Sequence, residues 1–166
     1  MATKENLKEA FAGESQANRK YLAFAKKAEA DGYPQVAKLF RAAAEAETVH
    51  AHSHLRVLGG IKTTKENLAA AIEGEGFEFK EMYPKFISEA EKEGDKQALT
   101  TFKYANAVEE IHHQLYAEAL AKLNTGNDLP AGDIHICGVC GYTVWGEVPE
   151  NCPVCGSAKK VFRRID

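Results

Sequence analysis

A five-residue string near the start of the chain returns unchanged in its second quarter. Thr3–Leu7 reads TKENL, and the same letters recur at Thr64–Leu68, 61 residues later. Three further pairs occur at nearly the same offset, namely Glu14 with Glu75, Glu47 with Glu109, and His50 with His112. Self-similarity at a fixed period indicates a duplicated structural unit. The repeat therefore predicts that most of the chain consists of two related halves.

Each half is predicted to be a pair of helices. Residues 3–124 are rich in Ala, Glu, Lys and Leu, and their apolar residues recur at helical spacing. Thr3 and Thr64 are the predicted N-caps of the first and third helices. The helix breakers lie at Asp31–Pro34, Gly59–Gly60, Gly94–Asp95 and Gly126–Asn127. Four amphipathic helices of about 25 residues bury their apolar faces most simply in a four-helix bundle.

The last fifth of the chain has a different character. It contains all four cysteines, at positions 137, 140, 152 and 155, between glycines, prolines and short β-forming runs. About 33 residues bury too little core to fold without a cross-link or a metal. Two Cys-x-x-Cys turns supply a tetrahedral sulfur site for zinc or iron, and their spacing leaves that choice open. The predicted divisions are a bundle over residues 1–126, a linker over 127–133 and a β-rich module over 134–166.

Composition excludes several classes of protein. Apolar residues make up 45% and charged residues 27% of the chain, which excludes a disordered protein. The formal net charge of −3 is too balanced for nucleic acid or an anionic membrane to be the main partner. No apolar run approaches the ~18 residues of a membrane span, and the first residues lack the apolar core of a signal peptide. We therefore expect a cytoplasmic protein with no nucleic-acid or membrane partner.

An acidic residue interrupts the apolar stripe of every predicted helix. These residues are Glu14, Glu47, Glu75 and Glu109. An isolated buried carboxylate costs several kcal/mol, and a bound metal ion removes that cost. Glu47-x-x-His50 and Glu109-x-x-His112 each place a carboxylate and an imidazole on one helix face. Two such helices, with one Glu from each of the other two, form the ligand set of di-iron and di-manganese bundles.

Glu78 breaks the symmetry of this predicted site. It follows Glu75 by one turn, and its counterpart in the first half is Ala17. The extra carboxylate makes the two metals chemically inequivalent. The seven candidate ligands are Glu14, Glu47, His50, Glu75, Glu78, Glu109 and His112.

These motifs together resemble the rubrerythrin family over essentially the whole chain. The matching segments are Ala10–Ala17 (AFAGESQA), Gly74–Pro84 (GEGFEFKEMYP), Val108–His112 (VEEIH), Cys137–Tyr142 (CGVCGY) and Cys152–Gly156 (CPVCG). The resemblance implies a ferritin-like bundle followed by a rubredoxin-like module that holds one iron on Cys137, Cys140, Cys152 and Cys155. It also implies a di-iron centre in which the other six candidate residues are ligands and His50 is a ligand in one redox state. One iron is then expected to move between His50 and Glu78 on oxidation.

The family resemblance also implies an activity. It is that of a non-haem di-iron peroxidase that reduces hydrogen peroxide to water in oxidative-stress defence. Electrons are expected to pass from an external donor, such as rubredoxin and its NAD(P)H-dependent reductase, through the four-cysteine iron to the di-iron site. The alternative is a ferritin-like ferroxidase or iron-handling protein with a structural zinc ribbon.

The link between the two halves is unusually short for such a fold. Ferritin-like bundles run their second and third helices parallel, so this connection must retrace a helix. Residues 59–63 reach at most about 20 Å, whereas the helix is about 37 Å long. A simple up-down bundle and a dimer with exchanged hairpins both satisfy that limit. We expect the homodimer, because a hinge too short to fold back favours exchange of identical elements.

Overall fold

The computed structural model describes residues 2–166. Five α-helices and a short π-helical segment precede a three-stranded sheet. The chain divides into two compact units, one ending at Lys62 and the other beginning at Thr63. In the described part of the chain, no helix is both long and apolar enough to cross a membrane.

The first unit is a helical hairpin of α1 (Ala2–Ala30) and α2 (Pro34–Val57). Gly32 makes the turn with a φ of 84°, which glycine adopts without strain, and Pro34 opens α2. The two helices pack through small side chains, so that the buried residues are Ala25, Ala28, Ala37, Ala44 and Ala51. Such small side chains let the backbones of α1 and α2 approach closely.

The second unit begins with three consecutive helical segments, and one long helix follows them. The segments are α3 (Thr64–Phe77), a π-helical turn (Glu78–Met82) and α4 (Tyr83–Glu93). Gly94 ends α4 in the left-handed conformation, and the Asp95 carboxylate caps α5 (Lys96–Asn124). Helices α3 and α4 both contact α5. The predicted third helix is therefore interrupted in its middle by a π-helical turn.

Both predicted N-caps are wrong. Thr3 already lies inside α1, and Thr63 rather than Thr64 caps α3. The Thr63 hydroxyl accepts a hydrogen bond from the Glu66 N–H, while the Glu66 carboxylate accepts one from the Thr63 N–H. This reciprocal capping box selects Thr63, because Glu66 lies three residues after it.

The cysteine module contains the small sheet. Its strands are β1 (Ile134–Cys137), β2 (Thr143–Trp145) and β3 (Phe162–Ile165), with β1 in the centre and antiparallel to both neighbours. The two Cys-x-x-Cys turns follow β1 and precede β3, and Cys137 and Cys152 are almost fully buried. The predicted mainly α fold with a small β-rich four-cysteine module is confirmed.

Candidate metal centres

The first unit contains a triad of side chains that could hold a metal ion. Glu14 lies on α1, and Glu47 and His50 lie on α2, with ligand atoms that are all within 4.8 Å of one another. The His50 Nδ1 atom lies 2.9 Å from Glu47 Oε2 and 3.9 Å from Glu14 Oε1. The triad therefore brings together, from two helices, three groups that could bind one metal ion.

Asn18 helps to align the helices of this triad. Its side-chain amide, one turn after Glu14, donates to the Ala44 carbonyl at 2.7 Å and to the Thr48 hydroxyl at 2.8 Å. Thr48 directly follows Glu47 in the sequence. The amide thereby fixes the register of α1 against α2 beside the carboxylates.

The second unit contains an equivalent triad. Glu75 lies on α3, and Glu109 and His112 lie on α5, again with ligand atoms within 4.8 Å of one another. The His112 Nδ1 atom lies 2.8 Å from Glu109 Oε2 and 3.8 Å from Glu75 Oε1. The two histidines thus have almost the same distances to their carboxylates. The sequence repeat therefore recurs in the structure as a repeat of side-chain geometry.

Burial and neighbouring charges shift the pKa values of Glu75 and His112 in the second triad. Burial, followed by the negative charge of Glu109 and a hydrogen bond with it, raises the pKa of Glu75 to about 7. The hydrogen bond to Glu109 is the main reason that the pKa of His112 is also raised. A carboxyl group that holds a proton because it is buried beside another acid can exchange that proton for a metal ion. The charge and chemistry of the donor set therefore fit a cation such as iron.

Glu78 lies outside the triad, but its carboxyl interacts electrostatically with Glu109 and His112. Burial, then the charge of Glu109, raises the pKa of the Glu78 carboxyl. Glu78 begins the π-helical turn, and its carbonyl accepts the Tyr83 N–H five residues later. Burial and then the Glu78 charge likewise raise the pKa of the Tyr83 hydroxyl. A π-helical turn often marks a functional site, and here it occurs at the one candidate ligand that has no repeat counterpart.

The four cysteine sulfurs converge at tetrahedral spacing. Cys137 Sγ lies 3.7 Å from Cys155 Sγ, Cys140 Sγ lies 3.5 Å from Cys152 Sγ, and all four sulfurs lie within 4.8 Å of one another. A metal bound at 2.3 Å by four sulfurs would space them by about 3.8 Å. None of the four forms a disulfide. The site therefore fits one tetrahedral thiolate-bound metal.

Local contacts prepare one of these thiols for metal binding. Burial would raise the pKa of Cys155, but hydrogen bonds with the Ser157 hydroxyl and N–H, together with those to Cys152 and Cys140, outweigh it and lower the pKa to about 6. Burial raises the pKa of Cys140 and Cys152. A bound cation offsets the cost of ionising these buried thiols, because it supplies the opposite charge.

Thr143 is a residue of the site that sequence reasoning missed. Its hydroxyl, on β2, lies 2.9 Å from Nε2 of His112 on α5. The sequence indicated only a β-branched residue in a short strand. No local pattern relates position 143 to position 112, because the contact depends on how the module packs within the second unit.

Known proteins with similar sequences and folds belong to one family of metal proteins. Residues 5–120 match the rubrerythrin family, and residues 135–163 match the rubredoxin-like domain of rubrerythrin. The chain is 36% identical to rubrerythrin-2 of Clostridium acetobutylicum, covering 97% of this chain and 95% of that protein. It is 37% identical to nigerythrin of Nitratidesulfovibrio vulgaris, covering 97% and 85%. A solved structure of partially reduced nigerythrin matches with a TM-score of 0.59 and 34% identity, over 98% of this chain and 86% of that one.

The matches and the side-chain groups agree on the cofactors. They are two non-haem iron ions in a di-iron site and one iron in the four-cysteine rubredoxin-like site. The carboxylate and imidazole triads suit the former, and the convergent thiols suit the latter. With both of its domains matched and groups for both metal sites present, the chain belongs to the rubrerythrin family.

Proposed function

We propose that this protein is a di-iron peroxidase that reduces hydrogen peroxide to water in oxidative-stress defence. The reaction consumes one peroxide, two electrons and two protons and forms two molecules of water. NAD(P)H supplies the electrons through a separate reductase, with rubredoxin or a similar carrier, and becomes NAD(P)+. The main support is that one chain contains two equivalent Glu–Glu–His triads and a tetrahedral group of four thiols.

Seven side chains are proposed as ligands of the di-iron site. They are Glu14, Glu47, His50, Glu75, Glu78, Glu109 and His112. Six of them form the two triads. The seventh is Glu78, whose carboxyl pKa is raised by burial and by the charge of Glu109. When bound, the irons supply the electrons for cleaving the O–O bond and the positive charge that stabilises the departing oxygens.

The proposed exchange of one ligand depends on His50 and Glu78. The two residues differ in charge, so each suits a different oxidation state of the iron. The His50 side chain is 54% exposed, and its only close polar neighbours among the described residues are Glu47 and Glu14. Within its own chain, therefore, the imidazole has few bonds to break when it leaves the iron.

The four-cysteine iron is proposed as the entry point for electrons. Iron on four thiolates changes by one electron at a time, whereas zinc in the same site would only stabilise the fold. The proposed ligands are Cys137, Cys140, Cys152 and Cys155. A zinc ribbon attached to a ferritin-like ferroxidase is the competing assignment.

The test is a spectrum, a metal count and an assay on protein from its native host. We expect a red protein with Fe(III)–thiolate absorption, three irons per chain, and peroxide-dependent oxidation of NAD(P)H when a reductase is supplied. A colourless protein with zinc on the cysteines would overturn the electron-transfer role. Iron at all sites, with oxidation of Fe(II) by oxygen but no turnover of peroxide, would favour the ferroxidase.

We further propose that the protein is a homodimer with exchanged hairpins. The connection from α2 to α3 contains residues 58–63, which reach about 20 Å when extended. Helix α2 has 24 residues and is about 36 Å long. In a ferritin-like bundle α3 runs parallel to α2, so this connection is too short to bring the second hairpin back alongside the first.

Burial within the first hairpin supports the same proposal. Its buried side chains are all alanines, while Leu39 is 68% exposed and Val57 is 72% exposed. Two helices alone cannot enclose larger apolar side chains, so such a hairpin gains stability by packing on another. The second hairpin of a partner chain carries the complementary triad and is the proposed occupant. Each di-iron site then takes Glu14, Glu47 and His50 from one chain and the remaining ligands from the other.

A further inference from the structure

The Nε2 atom of His112 has one hydrogen-bond partner among the described residues. That partner is the Thr143 hydroxyl, at 2.9 Å. The same hydroxyl lies 3.1 Å from the Gly141 carbonyl, which is an acceptor only. The Thr143 O–H therefore donates to Gly141, and its oxygen accepts from the Nε2–H of His112. These two bonds fix the direction of the hydrogen-bond chain.

This chain keeps a proton on Nε2 of His112, and so selects the tautomer that the ring adopts once a metal ion replaces the Nδ1 proton that bonds Glu109 in the metal-free protein. With a proton on Nε2, the neutral ring has its lone pair on Nδ1. Nδ1 is the atom that faces Glu109 and Glu75, at 2.8 and 3.8 Å. A metal-binding histidine nearly always donates its other N–H to a fixed acceptor, which sets both the tautomer and the ring orientation.

His112 and Thr143 also lie in surroundings that strengthen their bond. Both line a cavity of about 640 Å³ whose other walls include the apolar side chains of Leu115, Ile136 and Trp145. A hydrogen bond flanked by apolar groups meets less competition from water. The equivalent histidine of the first triad differs, since no hydrogen bond to Nε2 of His50 occurs among residues 2–166.

We propose that Thr143 is a positioning residue that holds His112 in its metal-binding tautomer and ties the cysteine module to a di-iron ligand. The inference rests on the proposed role of His112 as a ligand. Thr143 lies three residues after Cys140, and the Tyr142 N–H between them donates to Cys140 Sγ at 3.5 Å. The polypeptide that surrounds the thiolate-bound metal thus also orients the imidazole. Loss of the hydroxyl should weaken the hold of the protein on one of the two irons.

The test measures release of Fe(II) from the full-length, iron-loaded protein to a coloured chelator in the absence of oxygen. Thr143→Val keeps the shape of the side chain but removes the hydroxyl, and Thr143→Ser restores it. Thr125→Val is the matched control, because its hydroxyl donates to the Lys122 carbonyl at the end of α5. We expect Thr143→Val to release one iron about 10–100-fold faster, with the second iron and the Fe(III)–thiolate absorption unchanged. Thr143→Ser and Thr125→Val should release iron at the rate of the unmodified protein.

His112→Ala separates the possible failures. If His112→Ala releases an iron faster but Thr143→Val does not, the positioning role is wrong and the ligand assignment stands. If neither variant changes the release of iron, the ligand assignment falls and the positioning role falls with it. If Thr143→Val loses the irons of both sites together, the hydroxyl serves only to fold the second unit, which also overturns the inference.

Discussion

His50 is twice as exposed as His112, although the two residues occupy equivalent positions in the repeat. Their side chains are 54% and 27% exposed, while each Nδ1 lies within 3 Å of the glutamate one turn earlier. Within the chain, the Thr143 hydroxyl of the cysteine module bonds Nε2 of His112, whereas no described residue forms a hydrogen bond with Nε2 of His50. The two triads are therefore similar in geometry, and within the chain only the second is bonded to the cysteine module. This inequality agrees with the proposal that His50 is the ligand that exchanges.

Removal of the unpaired carboxylate should separate metal binding from turnover. Glu78→Ala is expected to keep two irons, because the six remaining ligands match those of simpler di-iron bundles. Peroxide turnover should fall by about tenfold or more, since the iron loses its alternative ligand. Metal analysis and a peroxidase assay measure the two effects. Glu81→Ala is the control, because Glu81 is exposed in the same π-helical turn. Loss of both irons, or undiminished turnover, would contradict the assignment of Glu78.

Loss of one thiolate should stop the reaction without unfolding the helices. Cys137→Ser removes a buried thiol, a proposed ligand that lies outside α1–α5. We expect the far-UV circular dichroism to stay helical, while peroxide-dependent consumption of NAD(P)H ceases because electrons no longer enter. Val139→Ser alters the same turn at a residue that is 55% exposed and keeps all four thiols. A steady-state rate of Cys137→Ser equal to that of Val139→Ser would place the module outside the electron path.

The metal-free protein should bind iron more tightly as the pH rises through 7. Burial and the Glu109 charge raise the pKa of Glu75 to about 7, so that this carboxyl holds its proton below that pH. A carboxylate must be ionised to bind metal, so iron binding releases more protons at about pH 6 than at about pH 8. The raised pKa of His112 acts in the same direction, because its proton must also leave. The same shift makes the metal-free fold less stable as the pH rises from 4.5 to about 7, because the folded state binds the proton more tightly than the unfolded state.

Anaerobic calorimetric titration with Fe(II), in buffers of different ionisation enthalpy, counts the protons released. Glu75→Gln should release fewer protons at the lower pH, whereas Glu73→Gln, a change at an exposed position two residues earlier, should behave as the unmodified protein. Equal proton release at both pH values would show that Glu75 is ionised before iron binds.

The sequence predicted the parts of this molecule that depend on local spacing. Glu47 and His50 share a face because residues three apart on a helix always do, and the repeat extends that geometry to Glu109 and His112. The cap of α3 could also have been predicted from the sequence, since Glu66 is three residues from Thr63 but only two from Thr64. The contact of Thr143 with His112 was not, because it joins residues 31 positions apart through tertiary packing. The π-helical turn at Glu78 was also missed, since one extra residue in a turn leaves no separate mark on the apolar pattern.

Complementation between damaged chains distinguishes the exchanged dimer from a self-contained bundle. Glu47→Ala removes a ligand from the first hairpin, and Glu109→Ala removes its repeat counterpart from the second. With exchanged hairpins, a mixed dimer of these two chains has one site with every ligand and one site that lacks two. About half of the activity should therefore return, although each variant alone is inactive. Two different affinity tags allow the mixed dimer to be isolated, and a peroxidase assay with a metal count measures the recovery.

A second pair of variants makes the result specific to exchange. Glu14→Ala and Glu47→Ala both lie on the first hairpin, so that exchange leaves each site of their mixed dimer with one ligand missing, and no activity should return. Recovery in the Glu47–Glu109 pair alone therefore requires that each site combine the first hairpin of one chain with the second hairpin of the other. Absence of recovery in both pairs would mean that every chain completes its own site, since each site then lacks one ligand whichever variants are combined. Because α2 and α3 are joined by only six residues, that result would also require a simple up-down order of the helices.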